Sequence, residues 1–205
     1  MVAARGVLSI CVRRLCSHEV AGGQLNGTAH FKEPIFCTEG ERREFARLVR
    51  QGFESADEGL HGRIRDAKWL AFYYAAGDTL AAVAALKAPN DRYRDDVFQK
   101  AEARVSPADY KLELRWLFVV PAHRGNRIAE SPCPLLLARV PTSCVFATTR
   151  TNNISMIRIL LALGFARAGK PYPRRSKDLI LFLRSWPTFM APPPPPERGE
   201  VGHCD

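Results

Sequence analysis

The pattern of apolar and polar positions is clearest near the middle of the chain, where it predicts a strand, a turn and a helix in succession. Residues 114–120 are apolar except for Arg115 and rich in aromatic and β-branched side chains, as in a buried strand. Pro121 cannot donate a hydrogen bond to a sheet and ends the strand. Small, polar and basic residues follow, and Ile128 and Ala129 then begin the apolar face of a helix.

Upstream of this strand, the pattern predicts a first strand at residues 31–37 and then two helices. Thr38 and Glu41 have the spacing of a capping box, so we expect a helix over residues 41–53. A second box begins a helix over residues 55–67. The inward faces of the two helices comprise Phe45, Leu48, Val49, Phe53, Leu60 and Ile64.

A hairpin and a charged helix complete the region before the central strand. Strand-like runs at residues 69–76 and 79–86 flank Gly77 and Asp78, which are turn-forming residues at hairpin spacing. Residues 92–104 are charged and predicted to be helical, with Tyr93, Val97 and Phe98 on the apolar side.

Two prolines disturb the helix expected over residues 129–140. Pro132 and Pro134 fall in its second turn, where an interior proline costs about 3 kcal/mol. The helix is therefore either kinked or restarted at Pro134, with Leu135, Leu136 and Leu137 facing the sheet.

The last third of the chain predicts a strand, a helix and a hairpin. The strand covers residues 143–148, and Thr151 or Asn152 caps the following helix. This helix is apolar nearly all round, so we expect it to be buried. Gly164 ends it as a left-handed cap, and a hairpin with a basic loop at residues 170–177 follows.

Length and composition indicate one domain with two extensions. The chain has 205 residues, of which 46% are hydrophobic, enough for a sizeable core. We place this domain at residues 31–186. Residues 1–30 form a flexible extension, and residues 187–205 form a proline-rich tail that we expect to be disordered.

The formal charge of +9 suits a polyanionic partner such as nucleic acid, an acidic membrane face or a phosphorylated cofactor. Lysine and arginine are spread along the chain without an aromatic platform, and no apolar run approaches about 18 residues. We therefore expect neither a nucleic acid nor a membrane as partner. The six cysteines form no Cys-x-x-Cys pair and no zinc-like cluster, which predicts a cytoplasmic protein with free thiols and no metal.

The turn after the central strand has the composition of a phosphate site. Unpaired backbone N–H groups and the helix dipole attract anions at a helix start. Arg124 and Arg127 add positive charge, and Gly125 permits close approach of a ligand to the backbone. The alternative is an ordinary strand-to-helix corner with solvated arginines.

At these residues the chain resembles the GNAT N-acetyltransferase superfamily. The run from Val119 to Ala129 resembles the family's acetyl-CoA signature, Gln/Arg-x-x-Gly-x-Gly/Ala, with Arg124 first and Ala129 last. Arg127 replaces the middle glycine, which is a departure from the signature. A second stretch, from Asn153 to Gly164-Phe165, resembles the family's Asn-x-x-Ala…Gly-Phe helix. The resemblance covers residues 38–184.

The resemblance implies an α+β fold of α/β/α layers. Its sheet is mixed, mostly antiparallel, with six to seven strands and flanking helices. It also implies acetyl-CoA as co-substrate and an amine acceptor, either a small molecule or a protein, and it leaves a homodimer open. The residues expected to bind the coenzyme are Phe118, Val119, Val120, Arg124, Gly125, Asn126, Arg127, Ile128, Ala129 and Asn153.

For catalysis, the resemblance implies that Glu113 is the general base, because histone-acetylating members carry a glutamate at the matching place. A carboxylate at a sheet edge beside apolar residues suits proton abstraction. The alternative is a surface glutamate paired with Lys111 or Arg115. Many family members also use a tyrosine as proton donor to the leaving thiolate.

The position that matches this tyrosine is Leu160, so the usual donor is missing. Ser155 and Tyr172 are substitutes, and the thiolate can also leave without a donor. Asn153 either bonds the pantetheine arm or caps its helix.

The acceptor site is only weakly indicated. The resemblance points to Phe53, Glu54 and His61, and four aromatic residues could line a pocket, although each is more often packing: Tyr73, Tyr74, Tyr93 and Phe98. Three functions remain open. They are an N-acetyltransferase, a degenerate domain of the same fold that binds acyl-CoA weakly or serves as an interaction module, and, as the weakest of the three, a basic nucleic-acid-binding module.

Overall fold

The computed structural model describes residues 27–52, 59–124, 132–174 and 176–185. Seven strands form one sheet in the order β1-β2-β3-β4-β5-β7-β6. Every neighbouring pair is antiparallel except β4 and β5, which are parallel. The mixed, mostly antiparallel sheet with flanking helices confirms the predicted fold class. The strands are β1 (Gly27–Lys32), β2 (Ala67–Ala75), β3 (Thr79–Lys87), β4 (Leu112–Val119), β5 (Val145–Arg150), β6 (Ala166–Arg174) and β7 (Lys177–Arg184).

Helices cover both faces of this sheet. The helices are α1 (Glu39–Gly52), α2 (Leu60–Arg65), α3 (Asp91–Lys100), α4 (Pro132–Ala138) and α5 (Ile154–Ala162). Helices α1, α2 and α3 pack on the face that carries Trp116, Phe118 and Phe146. Helices α4 and α5 pack on the opposite face, against Leu114 and Phe182. Within the described ranges, no helix has the length and apolar character needed to cross a bilayer.

Several local predictions are confirmed by their hydrogen bonds and backbone angles. The Thr38 N–H donates to Glu41 Oε2 at 2.8 Å, and the Glu41 N–H donates to Thr38 Oγ1 at 3.1 Å, which is the reciprocal capping box. Gly77 and Asp78 have φ values of 78° and 56° in the β2–β3 turn. Gly164 has φ of 80° and follows α5 as a left-handed residue.

Four local predictions are wrong. The first strand begins at Gly27, and Pro34–Phe36 is a short 3-10 helix because a proline cannot continue the ladder. Strand β6 reaches Arg174, so most of the supposed loop at residues 170–177 is strand. Asn153, and neither of its two predecessors, caps α5.

The fourth wrong prediction is the burial of α5. Ile157 and Leu160 are buried in the core, whereas Ile154 is 53% exposed and Leu161 is 49% exposed. Only one side of the helix meets the sheet, so its all-round apolar composition overstates its burial.

Helix α4 begins at Pro132, and residues 125–131 before it lie outside the described residues, so the choice between a kinked and a restarted helix stays a prediction. Both prolines occupy the first turn, where backbone N–H groups have no acceptor within the helix. Leu136 and Leu137 are buried, and Leu135 packs beside them against the sheet. The prolines therefore cost far less than interior prolines would.

Candidate active site

The sheet opens between its two parallel strands. Strands β4 and β5 pair only at Leu112–Val145 and Glu113–Phe146, although both strands continue beyond these pairs. The other edge of β4 is bonded to β3, and the other edge of β5 is bonded to β7. The edges that face each other beyond Glu113 thus carry unpaired backbone groups. Such edges can hold an extended ligand between the strands.

A bulge in β4 accompanies this opening. Between the pairs Val83–Phe118 and Ala85–Arg115, β3 has one residue and β4 has two, Trp116 and Leu117. Trp116 has φ of 57°, a conformation that is uncommon for a bulky residue. The extra residue places Arg115 and Trp116 on the same face of the sheet, where one contacts α3 and the other α1.

Glu113 lies at the last paired position before the opening and is 1% exposed. Its Oε1 accepts a hydrogen bond from the Tyr93 hydroxyl at 3.0 Å and one from Arg115 Nη1 at 2.6 Å. Its Oε2 is buried and has no hydrogen-bond partner among the described residues. Glu113 therefore pairs with Arg115, as one alternative expected, but it is buried and does not lie on the surface. A buried, half-satisfied carboxylate is costly and is a typical feature of functional sites.

The two partners of Glu113 are both held in their proton-donating forms. The negative charge of Glu113 raises the pKa of Arg115, although burial opposes this effect. Burial raises the pKa of Tyr93, and the charge of Glu113 raises it further. Tyr93 and Arg115 thus remain donors to Oε1 at neutral pH, which orients the carboxylate and leaves Oε2 for another group.

Two further cations lie around the cluster formed by Glu113, Tyr93 and Arg115. Lys87 is directly opposite Glu113 in the β3–β4 register, and its Nζ lies 4.7 Å from the centre of the Trp116 ring. Burial lowers the pKa of Lys87, while the charge of Glu113 opposes that effect. The guanidinium of Arg174 lies 4.9 Å from the centre of the Tyr93 ring. Sequence reasoning missed Lys87 and Arg174, because neither lies near Glu113 along the chain.

The predicted coenzyme residues are only partly within the described structure. Phe118 is 8% exposed, and Val119 and Val120 are half-buried at the end of β4. The Val120 N–H donates to the Ala81 carbonyl at 2.9 Å. Arg124 Nε donates to the Val119 carbonyl at 3.1 Å, which folds this side chain back over the strand. Gly125, Asn126, Arg127, Ile128 and Ala129 lie outside the described residues, so the phosphate-binding turn stays a prediction.

Asn153 caps α5 as the simpler interpretation expected, with Oδ1 accepting from the Met156 N–H at 3.1 Å. Leu160 is fully buried in the position that matches the family's tyrosine. Of the two substitute donors, Ser155 is exposed. Tyr172 is 2% exposed, and its hydroxyl has no partner among the described residues. Burial raises the pKa of Tyr172, which keeps it protonated.

The residues predicted to contact the acceptor lie in three places: in the core, on the surface and beside Glu113. Tyr73 and Phe98 are buried in the core, and Tyr74 is half-buried against it. His61 is exposed and contacts Arg50 at 3.2 Å. Tyr93 alone among the described candidates touches Glu113. Phe53 and Glu54 lie outside the described residues.

Comparison with solved structures shows which class of protein has this fold. A GNAT-family acetyltransferase from Streptococcus agalactiae superposes with a TM-score of 0.56 at 16% identity, over 77% of this chain and 95% of that one. Arabidopsis thaliana NAA60 in complex with acetyl-CoA gives 0.55 at 14% identity, over 77% and 99%. The yncA protein of Salmonella typhimurium, solved with its cofactor acetyl-CoA, gives 0.53 at 19% identity, over 82% and 98%.

These similarities establish that the chain has the GNAT acetyltransferase fold and confirm the resemblance at the level of fold. Neither the family models nor the curated protein sequences that were compared match the chain.

Proposed function

We propose that the protein is an acetyl-CoA-dependent N-acetyltransferase that acts on a primary amine, with Glu113 as general base. The proposal depends on the position of one buried carboxylate oxygen. Glu113 Oε2 has no partner among the described residues and lies where the two parallel strands of a GNAT fold separate. Two solved neighbours of this fold contain acetyl-CoA, which supports the same co-substrate here.

The reaction forms a C–N bond between the acceptor and the acetyl group and breaks the C–S bond of the thioester. The acceptor ammonium loses one proton to Glu113 before its nitrogen can attack. After attack the nitrogen loses a second proton, which the departing thiolate takes up as a thiol. Arg115 and Tyr93 hold Oε1, so the first proton is taken at Oε2. The unpaired edge of β4 positions the pantetheine arm, and preorganisation of this kind supplies much of the rate.

The turn after β4 is proposed to hold the diphosphate, with Arg124 as the described member of that site. Its guanidinium lies 5.7 Å from the centre of the Phe118 ring, which fixes it at the end of the strand. The Tyr172 hydroxyl is proposed to donate a hydrogen bond to the leaving thiolate. Because its pKa is raised, it is better suited to donating a hydrogen bond than to releasing its proton.

A binding domain without catalysis is the second candidate, and one observation favours it. The 2.6 Å ion pair with Arg115 and the hydrogen bond from Tyr93 close the carboxylate on one side. A domain that retains only acyl-CoA binding would keep this buried pair as a structural feature, and no acceptor would use Oε2. The presence of Leu160 in place of the family's usual tyrosine also favours a binding domain without catalysis.

Substitution of Glu113 tests the base directly. Glu113→Gln should lower kcat at neutral pH by about 10²- to 10⁴-fold and change the KM for acetyl-CoA little, because it removes a proton acceptor and keeps the side-chain volume. Glu44→Gln is the matched control, since Glu44 is exposed on α1 and should retain wild-type rates. Steady-state kinetics with an unbiased set of amines provides the measurement. Equal activity of the two variants would remove Glu113 from this role.

A thermal-shift titration separates the two candidates. Acetyl-CoA should raise the melting temperature in both cases, because a ligand that binds only the folded state stabilises it. Release of free thiol in the presence of an amine would support the enzyme. A bound thioester that stays intact with every amine would support the binding domain, and no thermal shift would contradict both.

A further inference from the structure

The ion pair at Glu113 constrains which amines can bind there, provided that the proposed function is correct. Glu113 is 1% exposed, and the Arg115 side chain is 36% exposed. An amine that binds Glu113 at Oε2 lies beside Arg115, which already occupies Oε1. A further cation at this carboxylate has no negative partner of its own, which is unfavourable at a largely buried site.

The cluster also has more positive than negative charge. Lys87 and Arg174 have no carboxylate within ion-pair distance among the described residues, and both contact aromatic rings instead. Several cations of the described structure do have acidic partners, among them Lys32, Arg42, Arg43, Arg47, Arg94, Lys100 and Lys170. Arg139, like Lys87 and Arg174, instead lies over aromatic rings. Apart from Glu113, Asp66 is the acidic residue whose charge raises the pKa of Lys87. It has the smallest effect of the four charged groups that influence this pKa.

The excess charge is far from the predicted diphosphate site. Glu113 lies at the start of β4, and Lys87 lies opposite it at the end of β3, whereas the phosphate turn follows the end of β4, six residues further on. This separation is about 20 Å along a strand. Arg174 reaches the same cluster through Tyr93, whose hydroxyl binds Glu113. The cations therefore have no evident role in holding the coenzyme phosphates.

We infer that the acceptor is an amine that also carries a carboxylate, either a free amino acid or an acidic peptide. Its ammonium binds Glu113 at Oε2, and its carboxylate faces the cations around Glu113, of which Arg115 reaches solvent. Lys87 and Arg174 add positive charge around the incoming anion. A ligand with both charges supplies a cation for Oε2 and an anion for the surplus cations, so it adds no net charge to the cluster.

A matched series of three small amines tests this inference. β-Alanine, β-alaninamide and 1,3-diaminopropane have similar lengths and carry a negative, a neutral and a positive second group. Isothermal calorimetry on the full chain, with and without coenzyme A, measures binding whether or not turnover occurs. β-Alanine should bind at least about tenfold more tightly than the other two. An acidic peptide and its fully amidated form provide a second pair, which distinguishes a peptide from a free amino acid.

Three substitutions show whether the preference comes from this cluster. Arg115→Gln and Arg174→Gln should each lower the ratio of affinities between β-alanine and β-alaninamide by about tenfold, and Arg115→Lys should restore part of it. Arg167→Gln is the matched control, because Arg167 lies exposed on the same strand as Arg174. If Arg115→Gln does not fold, Arg174→Gln still decides the question.

The outcomes distinguish this inference from the proposed function. Tighter binding of the amide or the diamine, no binding of any acid, or an unchanged ratio in Arg174→Gln would overturn the inference. Absence of acetyl transfer to amines that do bind would instead overturn the proposed function and leave the ligand preference standing.

Discussion

At the scale of single residues, the environment of Glu113 decides its chemistry. Glu113 and Arg115 lie two positions apart on one strand, so their side chains share a face of the sheet. Tyr93 approaches the same carboxylate from α3, twenty residues earlier in the chain. The result is a carboxylate with one oxygen fully engaged and the other without a partner among the described residues. Such an asymmetric arrangement fits a group that exchanges partners during a reaction.

Cys37 gives a prediction about stability at high pH. It is 5% exposed, and its Sγ donates to the Glu33 carbonyl at 3.5 Å. Burial, with the charge of Glu41 second, raises the pKa of Cys37 to about 11. The folded state then binds a proton that the unfolded state loses between about pH 9 and pH 11. The free energy of unfolding should therefore fall over this window by about 1–2 kcal/mol more in the wild type than in Cys37→Ala.

Urea denaturation at pH 8 and at pH 10.5 measures this difference. Other buried groups titrate equally in both proteins, so the comparison isolates Cys37. Parallel pH dependence of the two proteins would show that the thiol ionises as easily in the folded state as in the unfolded chain.

At the scale of elements, the contact between α1 and β4 positions the central strand. Phe45 on α1 contacts Trp116 edge to face, with ring centres 6.1 Å apart. At the end of α1, Gly52 leaves room for the ring of Phe118, which a Cβ at this position would overlap. The helix therefore supports β4 through the stretch where β5 no longer pairs with it.

Two glycine substitutions test this packing. Gly52→Ala should lower the free energy of unfolding by about 1–3 kcal/mol, because the added methyl group overpacks the core against Phe118. Gly62→Ala is the control, since a Cβ at Gly62 in α2 meets no atom within 4 Å. It should raise stability by about 0.5–1 kcal/mol through the loss of unfolded-state entropy. Urea denaturation measures both changes, and a stabilising Gly52→Ala would contradict the close contact.

At the scale of the whole molecule, β4 and β5 share fewer residue pairs than any other neighbouring strands of the sheet. Strands β1 to β4 form one continuous antiparallel half, and β5, β7 and β6 form the other. The two halves are joined in the sheet by two residue pairs at the start of β4 and β5. An extended ligand in the opening would form hydrogen bonds with the backbones of both halves, so it would bridge the gap between β4 and β5.

Hydrogen exchange can locate this binding. If acetyl-CoA lies along β4, peptides that cover residues 114–120 should gain protection when it is added, because its amides would occupy unpaired backbone groups. Peptides over β2 and β3 should change little, since those strands are already paired on both sides. Protection confined to other regions would place the coenzyme elsewhere.

The sequence by itself determined the features that depend on near neighbours along the chain. The Thr38–Glu41 capping box, the turn at Gly77 and the cap at Gly164 follow from residues within a few positions, whose interactions recur in any fold. The same holds for β4 as a buried strand and for the family resemblance, which pointed to Glu113. The burial of α5 was wrongly predicted because composition does not say which side of a helix meets a sheet.

Only the tertiary structure decided what surrounds the candidate base. Tyr93, Lys87 and Arg174 reach Glu113 or its partners from three other elements, and no local pattern sets those distances. The opening between β4 and β5 is likewise accompanied by a bulge whose extra residue, at Trp116, is visible only in the register with β3. The physical reason is that strand pairing and side-chain packing join residues that are distant in sequence. The electrostatic state of the site is therefore a property of the assembled sheet.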